Sequence, residues 1–205
     1  SGPQGDTTTF LGGRGDAMAV AGADESGAEF YGVKATGERF VFLVDCSVTM
    51  SVGTRWMDAL RELTTAVQRL GGDKYFYVIF FSEESQAMFD SAHREPDLLP
   101  ATPENVARLR HWLLTIRTGM STQPAKSVKR ALSLAPDAIY LLSDGEFEDH
   151  DPTLDLLSRE NFLRANNPRK TPLVVHTLSF RRQGDIDRLR NIARENGGRY
   201  VCIAP

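Results

Sequence analysis

Cysteine is scarce in this chain, with two residues in 205, which excludes a small disulfide-stapled scaffold. Long apolar runs are missing as well. Nothing approaches the roughly 18 consecutive apolar residues of a membrane-spanning helix, so no membrane span is expected in this chain. Positive charge is not in excess: 24 Lys and Arg stand against 27 Asp and Glu, a net charge of −3. The basic residues are scattered, which is not the footprint of a nucleic-acid binder, and no nucleic-acid partner is expected. Among the four histidines, His93, His111 and His176 are isolated from one another and from the cysteines, without zinc-ligand spacing. A G-x-x-x-x-G-K-[ST] phosphate loop is absent. No secretory signal is visible, and the opening Ser1-Gly2 reads as a cloning remnant.

What remains suits one domain large enough to cover both faces of a sheet. Residues 1–29 hold seven of the 17 glycines and few large apolar residues, and read as a flexible arm. The arm contains Arg14-Gly15-Asp16, a tripeptide that chance supplies easily in such a segment. Residues 30–205 read as the folded domain, with Phe30 to Val33 as a short strand. Apolar runs at 40–44, 75–81, 138–143, 173–180 and 199–203 then alternate with segments of helical periodicity. Trp56, Leu60, Leu63, Val67 and Leu70 mark a helix ended by Gly71-Gly72. Val106, Leu109, Leu113 and Ile116 mark another after Pro103, followed by helices over 124–134, near 154–166 and around Ile186, Leu189 and Ile192. Gln86 to Asp90 reads as a short edge strand. This alternation predicts an α/β fold: a doubly wound, mainly parallel sheet with helices on both faces.

The ends of two strands carry the chemistry. The run Phe40 to Val44 stops at Asp45, followed by Ser47 and Thr49, and the run 138–142 stops at Ser143-Asp144-Gly145-Glu146. Open α/β sheets bind ligands at the carboxyl ends of their strands. Carboxylate and hydroxyl oxygens are the donors a hard divalent cation takes. Between the two runs, the polar loop Thr118 to Pro124 offers Thr122. The competing reading is that Ser47, Thr49 and Thr122 only satisfy backbone groups where loops begin.

In these three elements the chain resembles the von Willebrand factor type A (VWA) domain family. Its metal-ion-dependent adhesion site reads D-x-S-x-S, then a loop threonine, then an aspartate before glycine. The resemblance covers roughly residues 30–205. It implies a Rossmann-like, six-stranded sheet in the order 3-2-1-4-5-6, with a short antiparallel third strand at the edge. It also implies metal ligands Asp45, Ser47, Thr49, Thr122 and Asp144, with the aspartates often acting through water. Three departures stand out: Thr49 replaces serine, Val48 replaces glycine, and Met120-Ser121-Thr122-Gln123 replaces the usual G-G-T-D. Val48 is β-branched and resists positive φ. Ser121 is an alternative to Thr122 if the register slips by one. On the implied strand order Cys46 and Cys202 lie too far apart for a disulfide, and Cys46 reads as a small buried filler rather than a reactive thiol.

The function this implies is a non-enzymatic, divalent-cation-dependent adhesion or recognition module. Mg²⁺ is the first choice, with Mn²⁺ or Ca²⁺ as alternatives, and the metal is completed by an Asp or Glu from a protein partner. One rival is a metal-dependent hydrolase or phosphatase. A dehalogenase-like phosphatase needs a second aspartate two residues after the first, where this chain has Ser47. Another rival is a VWA-like interaction scaffold that holds no metal. The acidic stretch Glu146 to Asp151 reads as a solvated loop, with His150 on the rim of the site.

Overall fold

A computed structural model of the chain describes residues 27–89, 97–144, 147–180 and 186–203. Most of the glycine-rich arm with its Arg-Gly-Asp tripeptide, His93, and the Gly145-Glu146 pair therefore lie outside the described residues. The central strands are β3 (Arg39–Asp45), β4 (Tyr75–Phe81) and β7 (Ala138–Leu142), all mutually parallel across β3. Phe40 to Val44 are each fully buried, which is why this strand is an unbroken apolar run rather than an alternating one.

Beyond β7 the parallel strands β8 (Val174–Ser179) and β9 (Tyr200–Cys202) complete one side. On the other side the short β5 (Ser85–Ala87) runs antiparallel to β4. The order β5-β4-β3-β7-β8-β9 is the expected 3-2-1-4-5-6. A seventh strand was not expected: β6 (Leu99–Pro100) also pairs antiparallel with β4, at its amino end. It is an edge strand, where the missing N–H of Pro100 is tolerated.

Among the described residues five α-helices connect these strands: α1 (Arg55–Leu70), α2 (Pro103–Leu113), α3 (Ala125–Ser133), α4 (His150–Ala165) and α5 (Ile186–Glu195). The path from β3 to β4 steps one way along the sheet, and from β7 through β8 to β9 the other. Right-handed crossovers therefore place α1 on one face and α4 and α5 on the opposite face. Gly71, at φ 77°, ends α1 as its sequence suggested. Thr102 caps α2, its hydroxyl accepting the Asn105 amide at 3.3 Å, with Pro103 at the first position. That helix stops at Leu113, so Ile116 packs against the core from the following loop rather than from the helix.

The expected strand at Phe30 to Val33 is instead a hairpin. Strands β1 (Ala28–Phe30) and β2 (Val33–Ala35) pair antiparallel in a sheet of their own, so Ala28 and Glu29, read as the end of the arm, belong to it. Tyr31 and Gly32 form its two-residue turn at φ 48° and 75°, the double positive φ that tight hairpins need. The Tyr140 hydroxyl, 2.9 Å from the Ala28 carbonyl and 3.0 Å from that of Val33, ties the hairpin to the sheet. Phe30 meets the stacked Phe42–Tyr140 pair edge-on.

Candidate metal centre

The sheet reverses its strand order at β3, and β3 and β7 both point their carboxyl ends at this switch. A crevice forms where flanking connections leave in opposite directions. Asp45 closes β3 there, fully buried, and Asp144 follows β7 at 1% exposure. Asp45 is held by neutral donors: its Oδ1 accepts the Ser47 amide at 2.7 Å, and its Oδ2 accepts the Ser143 hydroxyl at 2.6 Å. Burial nevertheless pushes its carboxyl up to about 6. The hydrogen bonds from Ser143 and Ser47 oppose that rise, and the charge of Asp144 adds to it.

The segment after β3 turns at once into a single 3₁₀ turn over Val48–Ser51. Its backbone stays out of the left-handed region, since Tyr31, Phe89 and Ala135 are the non-glycine residues found there among those described. Valine at position 48 is therefore unstrained, and the positive φ it would resist is not required. The turn brings the Ser47 and Thr49 hydroxyls within 2.9 Å of each other.

The threonine loop is clipped to this turn. Gly119 donates to the Cys46 carbonyl at 2.9 Å and accepts the Val48 amide at 2.8 Å. Glu83 receives the Met120 and Ser121 amides at 2.8 and 3.1 Å, and its own backbone amide, followed by these two, holds its carboxyl below the usual range. A Cβ at Gly119 would collide with Ser82 and with the Glu83 carboxylate, so only glycine fits. Downstream, Asp149 accepts the Ala125 amide at 3.0 Å and so faces the amino end of α3.

These contacts gather the expected residues. Ser47, Thr49, Ser121, Thr122 and Asp144, with Met120, Phe147 and Glu148, line one cleft of about 200 Å³, and Asp45 is buried beside it. Among the described residues no three His, Cys, Asp or Glu side chains cluster as a metal site; hydroxyls supply most of the oxygens here. Thr122 is buried, and its hydroxyl makes no hydrogen bond among the described residues. The Ser121 hydroxyl, by contrast, accepts from Gln123 at 3.3 Å. The acidic stretch is less simply solvated than its composition suggested. Phe147 is buried against Phe81, Glu148 lines the cleft and bonds Gln123 at 3.0 Å, and Asp149 serves α3. His150 opens α4, its ring 6.5 Å from that of Phe147.

Ser143, Glu83 and Asp149 are supports of the cleft that residue patterns missed. Ser143 alone had a signal, as the hydroxyl next to a candidate ligand. Cys46 is buried and donates to the Phe81 carbonyl at 3.3 Å. Burial pushes its thiol up to about 12, the state of an inert filler. Cys202 is also free of any disulfide.

No protein-family model and no characterised relative matches the sequence. Solved structures do match by shape. A von Willebrand factor type A protein from Catenulispora acidiphila is 21% identical with a TM-score of 0.65, over 83% of this chain and 40% of that one. The pilus adhesin SpaC from Lactobacillus rhamnosus GG is 12% identical with a TM-score of 0.59, over 86% and 29%. Manganese-loaded TRAP protein from Plasmodium vivax is 16% identical with a TM-score of 0.52, over 77% and 62%. The chain thus spans less than two thirds of the length of each. At such identities the likeness is one of fold.

Proposed function

We propose that this chain, which has the von Willebrand factor type A fold, is a protein-recognition module whose partner is captured through a divalent cation. The observation that carries the reading is convergence: three segments far apart in sequence bring the Ser47, Thr49 and Thr122 hydroxyls and the Asp144 carboxylate to one cleft, with the Asp45 carboxylate beside it. Ser47, Thr49 and Thr122 would hold the ion through neutral oxygens, and Asp45 and Asp144 would balance its charge. Thr122 is favoured over Ser121 because its hydroxyl is not already engaged by Gln123. An oxygen-only donor set suits Mg²⁺ first, then Mn²⁺ or Ca²⁺. Bound there, the ion supplies a hard acceptor for a carboxylate, and an Asp or Glu of a protein partner is the ligand that completes it. Likeness to a manganese-loaded protein and to a pilus adhesin supports both halves of this reading. It is a binding function, not a catalytic one.

A metal-free interaction scaffold is the second reading, and one observation favours it. Both Asp45 oxygens and the Ser47–Thr49 hydroxyl pair already have partners without a cation. Mn²⁺ titration followed by electron paramagnetic resonance separates the two. The cation reading expects one saturable site, weakened by roughly a hundredfold in Asp144→Asn and by tenfold or more in Thr122→Ala, both still folded. Absence of a saturable site up to millimolar Mn²⁺ leaves the scaffold reading standing.

A further inference from the structure

Two exposed apolar residues flank cleft-lining ones, Val48 between Ser47 and Thr49 and Met120 before Ser121, at the positions where the adhesion-site pattern has glycine. Val48 is 48% exposed and Met120 81%. They are neighbours across the clip described above: the Val48 amide bonds the Gly119 carbonyl, and Met120 follows Gly119. Met120 also lines the cleft itself. Its amide is fixed by Glu83 at 2.8 Å, so the side chain is displayed from a held backbone.

Val48 and Met120 are two of eight exposed large apolar side chains among the described residues; the others, such as Tyr75, Leu114 and Phe162, do not line the cleft. Single exposed apolar residues are normal on a protein, but two held side by side at the lip of a polar cleft offer a partner surface. The charges nearby narrow the partner further. Glu148 lines the cleft and Glu83 braces its loop, so additional acidic groups beside the incoming carboxylate would be repelled.

We propose that Val48 and Met120 form an apolar collar that makes the cleft select a partner Asp or Glu flanked by large apolar side chains. This rests on the cation reading of the cleft. A bare carboxylate satisfies the cation but leaves the collar in water. An acid between apolar neighbours covers the collar at the same time, and a few tens of Å² of extra apolar burial per side chain is enough for about a tenfold preference.

The test uses capped tripeptide amides, Leu-Asp-Leu, Ser-Asp-Ser and Leu-Asn-Leu, titrated into the Mg²⁺-saturated protein and followed by amide chemical shifts. Leu-Asp-Leu is expected to bind about tenfold more tightly than either of the others. In Val48→Ser and Met120→Ser the preference over Ser-Asp-Ser shrinks to within about twofold, while the thermal midpoint stays put because both side chains are exposed. Equal affinity for the two aspartyl peptides, or a preference that survives both substitutions, overturns the collar alone. Equal binding of Leu-Asn-Leu overturns it too, since the apolar surface then acts without the acid. If Mg²⁺ itself causes no saturable shifts at the cleft, the cation reading fails, and the collar fails with it.

Discussion

The two ends of the same sheet bury acidic groups in opposite ways. At the amino end, Asp137 is half-buried, and one of its oxygens accepts the Glu38 and Arg39 amides at 2.8 and 3.0 Å. Arg39 turns its guanidinium onto the Leu134 and Ala135 carbonyls and closes off the turn after α3. At the carboxyl end, Asp45 is wholly buried on neutral donors, with Asp144 close enough to raise its pKa. The first arrangement satisfies itself with protein groups at the surface. The second places negative charge where burial penalises it. A fold has no structural need for that placement, and a cation would remove the penalty.

The interior between these ends is the reference against which both can be broken. Leu43→Ala, in the middle of β3, should lower stability by about 2–5 kcal/mol and leave the thermal response to Mn²⁺ intact. Asp45→Asn should do the reverse: little loss in EDTA, as measured by urea unfolding, and loss of the Mn²⁺ response. A large destabilisation of Asp45→Asn in EDTA would make the buried carboxylate a structural group, and the contrast would collapse.

Gly119→Ala sharpens the same point at the clip. A methyl there meets Ser82 and the Glu83 carboxylate, and overpacking of this kind costs about 1–3 kcal/mol. Because the displaced loop carries Thr122, the cation affinity should fall together with the midpoint, unlike in Leu43→Ala.

Protons distinguish the regions by sign. His176, inside β8 at 4% exposure, accepts the Arg199 amide on Nδ1 at 3.0 Å. Burial, helped by the Arg199 charge, pushes its pKa down to about 4. Between about pH 6.5 and 4 the unfolded chain binds a proton there that the folded chain does not. Stability therefore falls as the pH drops through that window. Asp45 acts the other way: raised to about 6, it keeps a proton in the folded state that the unfolded chain has released. In the metal-free protein its contribution to stability accordingly rises as the pH falls from 6 toward 4. The two slopes oppose each other in the parent. In Asp45→Asn the histidine slope should emerge alone, about 1–2 kcal/mol across the window after allowance for screening, read from denaturant midpoints at stepped pH. Equal slopes in parent and variant would contradict the buried, proton-holding aspartate. The smallest effect belongs to the amino end. Asp137→Ala should cost about 1 kcal/mol for the two amides it abandons, without any change in cation response.

Much of this was legible in the chain itself. β4 occupies Tyr75–Phe81 as its apolar run indicated, and β3 ends on the aspartate that closes its run. Uniform burial writes itself as uniform hydrophobicity, and the strand end is where that stops. The short elements were not legible. β6 is two residues long and offers no period to read, and the Tyr31-Gly32 turn sits inside what looks like one apolar run. At the site, the residue types were visible, but their support was not. Glu83 reaches the threonine loop from 37 residues away in sequence, and the concern over Val48 dissolved because the chain enters a 3₁₀ turn there. Long-range hydrogen bonds and local φ angles leave little trace in residue type.

The most direct measurement is anomalous diffraction from crystals of the protein grown with Mn²⁺. The expected result is one strong peak in the cleft among the Ser47, Thr49 and Thr122 hydroxyls and the Asp144 carboxylate, absent from crystals of Asp144→Asn. An empty cleft at millimolar Mn²⁺, or a peak only on surface carboxylates elsewhere, would contradict a cation-binding carboxyl edge.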